Sequence, residues 1–127
     1  MENNRHNRTL GREGEDISCR YLVEQGHVIL DRNWRAGHLE IDIVSMDRVG
    51  IHFVEVKSRS VPFEASPQES VTRIKQKRLC SAAKGYISRK GRTLPADLEC
   101  HFDIVAVVFD RDRTQIRFFP DAFIPGI

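Results

Sequence analysis

Two runs of alternating residues, Leu39 to Met46 and Ile51 to Ser58, are separated only by Asp47-Arg48-Val49-Gly50. Four residues cannot carry a crossover between parallel strands, so the runs must pair as an antiparallel hairpin. Side chains alternate across a strand, which puts Glu40, Asp42 and Val44 on one face of the first run and Phe53, Glu55 and Lys57 on one face of the second. Centring the turn on Arg48-Val49, with a two- or four-residue loop, pairs residues whose numbers sum to 97. Asp42 then faces Glu55, and Glu40 faces Lys57. Directly opposed Cβ atoms lie ~4.5 to 5.5 Å apart, close enough for two carboxylates to hold one cation.

The remaining elements arrange themselves around this hairpin. A chain of 127 residues suits one domain, read here as a polar, frayed segment over 1–9 followed by a single domain over 10–127. A first helix leads in from Leu10 and stops near Gln25-Gly26, with Ile17, Tyr21 and Leu22 at helical spacing. A strand over His27 to Arg32 precedes the hairpin. Ser66-Pro67-Gln68-Glu69 offers a cap, a first-turn proline and a capping-box acid, predicting a second helix from there to about Arg89. Val71, Ile74, Leu79, Ala82, Ala83, Tyr86 and Ile87 form its apolar stripe, with Arg78 at the edge. Phe102 to Phe109 reads as a buried strand and Gln115 to Phe119 as a last, shorter one. The order αβββαββ predicts an α/β fold: a mixed sheet of about five strands flanked by helices, with a meander first and a helical crossover later.

Several function classes are excluded by composition. The longest apolar run, Ile104 to Phe109, falls far short of the ~18 residues of a membrane span, and the polar start lacks a secretion signal, so a cytoplasmic protein with no membrane partner is expected. Cys19, Cys80 and Cys100 show neither even count nor CxxC spacing, which argues for reduced thiols. The net charge is only +2, yet residues 57 to 92 carry ten basic residues against Glu64 and Glu69, a local +8. Such a field attracts a polyanion, nucleic acid above all; a solvated basic helix has the same composition. Lys75, Arg78 and Lys84 are the candidate phosphate contacts, and Arg59 lies where a substrate path begins.

Two facing carboxylates repel unless a cation sits between them. Oxygen-only ligation favours Mg²⁺ or Mn²⁺, so Asp42 and Glu55 are the candidate metal ligands. Lys57, two residues past Glu55 and on the same face, points its ammonium at the same spot, where it can orient a water and offset charge on a phosphate. A cross-strand charge ladder with a Glu40–Lys57 ion pair accounts for the same four residues, although Asp42 opposite Glu55 is a poor choice for one. The histidines at 6, 27, 38, 52 and 101 show no ligand spacing and none is assigned to metal; His38 and His52, near the hairpin, are candidates for supporting roles. Trp34 suits packing better than base stacking. Asp103, inside an apolar strand, calls for a buried hydrogen bond or an ion pair with Arg78.

The chain resembles a family, the YraN-like proteins, a bacterial group with a restriction-endonuclease-like fold similar to archaeal Holliday junction resolvases. The resemblance rests on Gly11-Arg12-Glu13-Gly14-Glu15, Tyr21-Leu22, Asn33-Trp34-Arg35, Glu40-Ile41-Asp42 and Phe53-Val54-Glu55-Val56-Lys57-Ser58-Arg59, then Lys75, Arg78-Leu79, Phe102-Asp103-Ile104-Val105 and Asp121-Ala122-Phe123. It implies a PD-(D/E)xK nuclease site with Asp42 and Glu55 as acidic ligands, Lys57 as catalytic lysine and Glu15 as an additional acid. Without the resemblance, Glu15 reads as a first-turn acid favoured by the helix dipole. The implied activity is attack of a metal-activated water on a phosphodiester of DNA, rather than RNA, including branched or structured DNA. The alternative on the same fold is a non-catalytic nucleic-acid-binding or DNA-processing module. Junction-cutting relatives need two active sites, which makes a homodimer attractive.

Overall fold

The computed structural model describes residues 2–60, 72–95 and 97–123. Helix α1 (Glu2–Glu24) leads into strands β1 (Val28–Ala36), β2 (Leu39–Met46) and β3 (Ile51–Ser60). Helix α2 (Arg73–Lys90) and a 3₁₀ turn over Gly91–Thr93 follow, then β4 (Cys100–Asp110) and β5 (Arg113–Phe119). The five strands form one sheet in the order β1-β2-β3-β4-β5, antiparallel except for the parallel β3–β4 pair that α2 bridges. The expected order αβββαββ and mixed sheet are therefore present. No helix among the described residues is long and apolar enough to cross a membrane.

Each helix covers one face of the sheet. Cys19 and Leu22 of α1 pack on Ile43, Val54, Val105 and Val107, while Leu79, Ala82, Ala83 and Tyr86 of α2 pack on Ile41, Val44, Ile51, Phe53 and Phe102. The uninterrupted apolar run of β4 follows from its place between two neighbours with both faces covered. Tyr86 also donates from its hydroxyl to Asp31 Oδ2 at 2.7 Å, tying α2 to the edge strand β1. Trp34 is packing, as expected: its ring meets Tyr86 edge-on at 5.3 Å and takes the Arg89 guanidinium above it.

Both helices start elsewhere than expected, and β1, expected to end at Arg32, runs on through Asn33-Trp34-Arg35 to Ala36. Helix α1 reaches back to Glu2, ahead of Leu10. Helix α2 is capped by Thr72, whose hydroxyl accepts from Lys75 N, so it starts at Arg73; the capping signal at Ser66 to Glu69, like Val71, lies outside the described residues. On the stripe, Ile74 and Ile87 are exposed, because the short helix rests on the sheet only through its middle turns, from Leu79 to Tyr86.

One glycine is dictated by close approach. A Cβ on Gly50 would stand 2.3 Å from the carbonyl oxygen of Glu99. That carbonyl accepts from Ile51 N at 2.8 Å where the parallel β3–β4 pairing begins. Backbone on both sides cannot yield, so Gly50→Ala should destabilise the fold by ~1 to 3 kcal/mol, read as a lower urea midpoint at unchanged slope.

Candidate active site

The hairpin adopts the expected register. Pairing runs from Met46↔Ile51 to Ile43↔Val54 across a four-residue turn in which Asp47 Oδ1 accepts from Val49 N at 3.0 Å and Gly50 N at 3.2 Å. Beyond Ile43↔Val54 the two strands part, and the gap is filled by a side chain: Asp42 Oδ2 accepts from Val56 N at 2.8 Å, taking the place of a ladder carbonyl. Strict alternation also fails here. Ile41 joins the α2 side of the core and Ile43 the α1 side, although they are two residues apart. The strand turns at Asp42, and its carboxylate enters the opening between β2 and β3.

That opening leads into a cleft of about 220 Å³ lined by His38, Glu40, Asp42, Glu55, Lys75, Arg78 and Leu79. Four acids surround it electrostatically. Burial is the largest influence on Asp42, followed by the charge of Glu55, with Glu15 and Glu40 adding to it; against the opposing Val56 hydrogen bond they push its carboxyl up to about 8. Glu15 reaches Asp42 because α1 lies close on β3 at Gly14, where a Cβ would collide with Ser58 Oγ. Its carboxylate accepts from Asn33 Nδ2 at 3.0 Å, and Asn33 itself sits in the left-handed region at φ 50°. Asparagine tolerates that conformation better than most residues.

The cations lie beside the acids. Lys57, only 7% exposed, holds Nζ 3.3 Å from Glu55 Oε1. The Lys57 ammonium, by a hydrogen bond and by its charge, holds the neighbouring Lys75 below its ordinary pKa; partial burial and Arg59 act the same way, and Glu55 opposes them. The Glu40–Lys57 ion pair of the charge-ladder alternative is not formed, because the strands have separated by that point: Glu40 meets Arg35 Nε at 3.7 Å and Lys57 turns to Glu55.

Other expectations sort by geometry. Lys75 and Arg78 line the cleft, and Arg59 lies near Lys75. Lys84 does not share their face, since nine residues at ~100° each place it about half a turn round α2 from Lys75. Asp103 is fully buried and does make a hydrogen bond, but its partner is His52 at 2.6 Å rather than Arg78, which lies across the sheet. His52 is thereby removed from the cleft, whereas His38 lines it. Asn33, which holds Glu15, has no role legible in the sequence, and Glu40, which lines the cleft, is legible there only as the residue opposite Lys57.

Fold and cleft together define an α/β protein with an acid-and-lysine site at the divergence of two sheet strands. Its family follows from comparison. Residues 14–107 match the family described as "Uncharacterised protein family UPF0102", the YraN family, and the chain belongs to it. It is 41% identical over 111 residues to a UPF0102 protein of Chlorobium phaeobacteroides (strain BS1), covering 87% of this chain and 86% of the relative. A UPF0102 protein of Bacteroides thetaiotaomicron is 38% identical, with 93% of this chain and 94% of the relative covered. One of Geobacter sulfurreducens is 37% identical, with coverages of 96% and 94%.

Proposed function

We propose that this chain is a metal-dependent nuclease on a restriction-endonuclease-like core, acting on DNA and on branched or structured DNA in particular, with two copies supplying the two cuts a junction needs. The observation that carries the reading is Asp42, buried among Glu15, Glu40 and Glu55 and so reluctant to ionise, in a cleft rimmed by Lys75 and Arg78. Gathering that many carboxylates around one partly enclosed point is costly without a cation and is relieved by one.

The donors fit Mg²⁺ or Mn²⁺. Asp42 and Glu55 offer carboxylate oxygens, and since Oδ2 of Asp42 is spent on Val56, Oδ1 is left for an ion. When bound, such an ion lowers the pKa of a water and draws charge from a phosphodiester oxygen. The chain's own groups do the rest. Lys57 keeps an ammonium fixed against Glu55, where it orients a nucleophilic water and offsets charge on the phosphate. Lys75, Arg59 and Arg78 bring further positive charge to the phosphate backbone. Glu15, held by Asn33, adds negative charge that tightens the site for a divalent ion.

The test is cleavage of labelled linear, four-way-junction and RNA substrates in MgCl₂ or MnCl₂ against EDTA, with calorimetry of Mg²⁺ binding. Divalent-dependent cutting is expected, and Glu55→Ala should weaken Mg²⁺ binding at least ~10-fold. No cleavage of any substrate, together with Mg²⁺ affinity unaltered by Asp42→Ala and Glu55→Ala, sinks the reading. Salt-sensitive DNA binding that Lys75→Ala and Arg78→Ala weaken, with no cleavage and indifference to Glu55→Ala, would assign the chain to a non-catalytic binding module instead.

A further inference from the structure

A second polar cluster lies on the other face of the sheet, beside the C-terminal end of α1. It is three residues along β3 from Glu55 and five along β2 from Asp42, ~10 to 17 Å away. His27 and His52 are each 7% exposed. Both direct Nε2 at one carboxylate: His52 lies 2.8 Å from Asp47 Oδ1 and His27 lies 3.4 Å from Asp47 Oδ2. The opposite nitrogen of each ring is anchored by a fully buried group. His52 Nδ1 meets Asp103 Oδ2 at 2.6 Å, and His27 Nδ1 meets Ser45 Oγ at 2.9 Å. Asp103 is held in turn by Asp121 N at 2.8 Å. Anchoring of Nδ1 by a carboxylate or hydroxyl is how proteins fix an imidazole whose Nε2 ligates a metal.

From this arrangement we infer that His27, Asp47 and His52 form a Zn²⁺-class site. The three donor atoms already lie within 4.8 Å of one another. Ligands at zinc distances and tetrahedral angles stand roughly 3.3 Å apart, so closure needs only small side-chain adjustments. Asp47 Oδ1 accepts from Val49 N and Gly50 N, which leaves Oδ2 as the metal donor, while His52 Nε2 exchanges its present contact with Oδ1 for the ion. Two imidazoles and one carboxylate favour zinc over Mg²⁺. Asp47 remains partly exposed, so water can take the fourth position. Bound there, the ion clamps the α1–β1 link, the β2–β3 turn and the start of β3. The three ligands are 20 and 5 residues apart and share no spacing motif; only the sheet register unites them.

The test uses chelator-treated whole protein titrated with ZnCl₂. One Zn²⁺ per chain should bind with a Kd of about a micromolar or below, the zinc absorption edge should show two imidazole nitrogens, and the melting midpoint should rise. His27→Gln and His52→Gln should each weaken binding at least ~10-fold, whereas Glu55→Gln, in the acid cleft, should leave it unchanged. An oxygen-only shell, or no stoichiometric binding below about 100 µM, overturns the inference, as does wild-type affinity in both histidine variants. If a histidine variant fails to fold, the ligand shell of the wild-type complex decides alone.

Discussion

Lys57→Met is expected to lower divalent-dependent DNA cleavage by about 10²- to 10³-fold while leaving Mg²⁺ affinity within a few-fold. The methionine keeps the apolar stem that packs in the sheet and removes only the ammonium. That ammonium is nearly enclosed and sits 3.3 Å from Glu55, so its position is set before any substrate arrives. A fixed charge in a site shielded from water costs no reorganisation when charge develops on a phosphate, which is why its loss falls on the rate rather than on binding. On the proposed function DNA affinity rests on Lys75 and Arg78, which line the cleft, and should fall by little. A second readout is independent of activity. Lys57 is the largest influence holding Lys75 below its ordinary pKa, so the Lys75 value should climb in the variant, measurable by NMR of the lysine side chains. Near wild-type single-turnover cleavage by folded Lys57→Met would remove Lys57 from the chemistry.

Asp42→Asn should do the reverse of most buried substitutions and stabilise the metal-free protein. Its carboxyl stands at about 8 in the fold against an ordinary 3.8. Between those values the folded chain holds a proton that the unfolded chain has released, so metal-free stability declines as pH rises through this window and levels off above about 8. Asparagine has no such proton and can still accept from Val56 N. The gain should be ~1 to 3 kcal/mol at pH 8, or roughly 4 to 10 °C in melting midpoint, and should shrink towards pH 4. Saturating Mg²⁺ should narrow the difference at pH 8 by stabilising the wild type alone. A variant that melts below the wild type at pH 8 without divalent ions would mean that Asp42 is not strained by its neighbours.

Much of the fold is local and was legible as such. The order of elements follows from hydrophobic period and turn residues, and the register of β2 on β3 follows from a four-residue turn that allows few pairings. From that register came the placing of Asp42 beside Glu55 across two strands adjacent in sequence, with Lys57 held against Glu55. Extrapolating the same register one step further failed. Glu40 and Lys57 do not pair, because Asp42 uses its carboxylate to replace a ladder acceptor and the strands part around it. Alternation alone carries no information about where a ladder ends.

The sequence by itself determined the class of fold, the hairpin and the acid–lysine convergence, since these depend on neighbours within a few residues or on the two-residue period of a strand. Only the tertiary structure decided that Glu15 joins Asp42, that Lys75 leans on Lys57, and that His27, Asp47 and His52 share one place. Those contacts depend on how α1 crosses β3, how α2 meets the rim of the cleft and which residues the sheet stacks side by side. They are set by packing of whole elements, which no local spacing records.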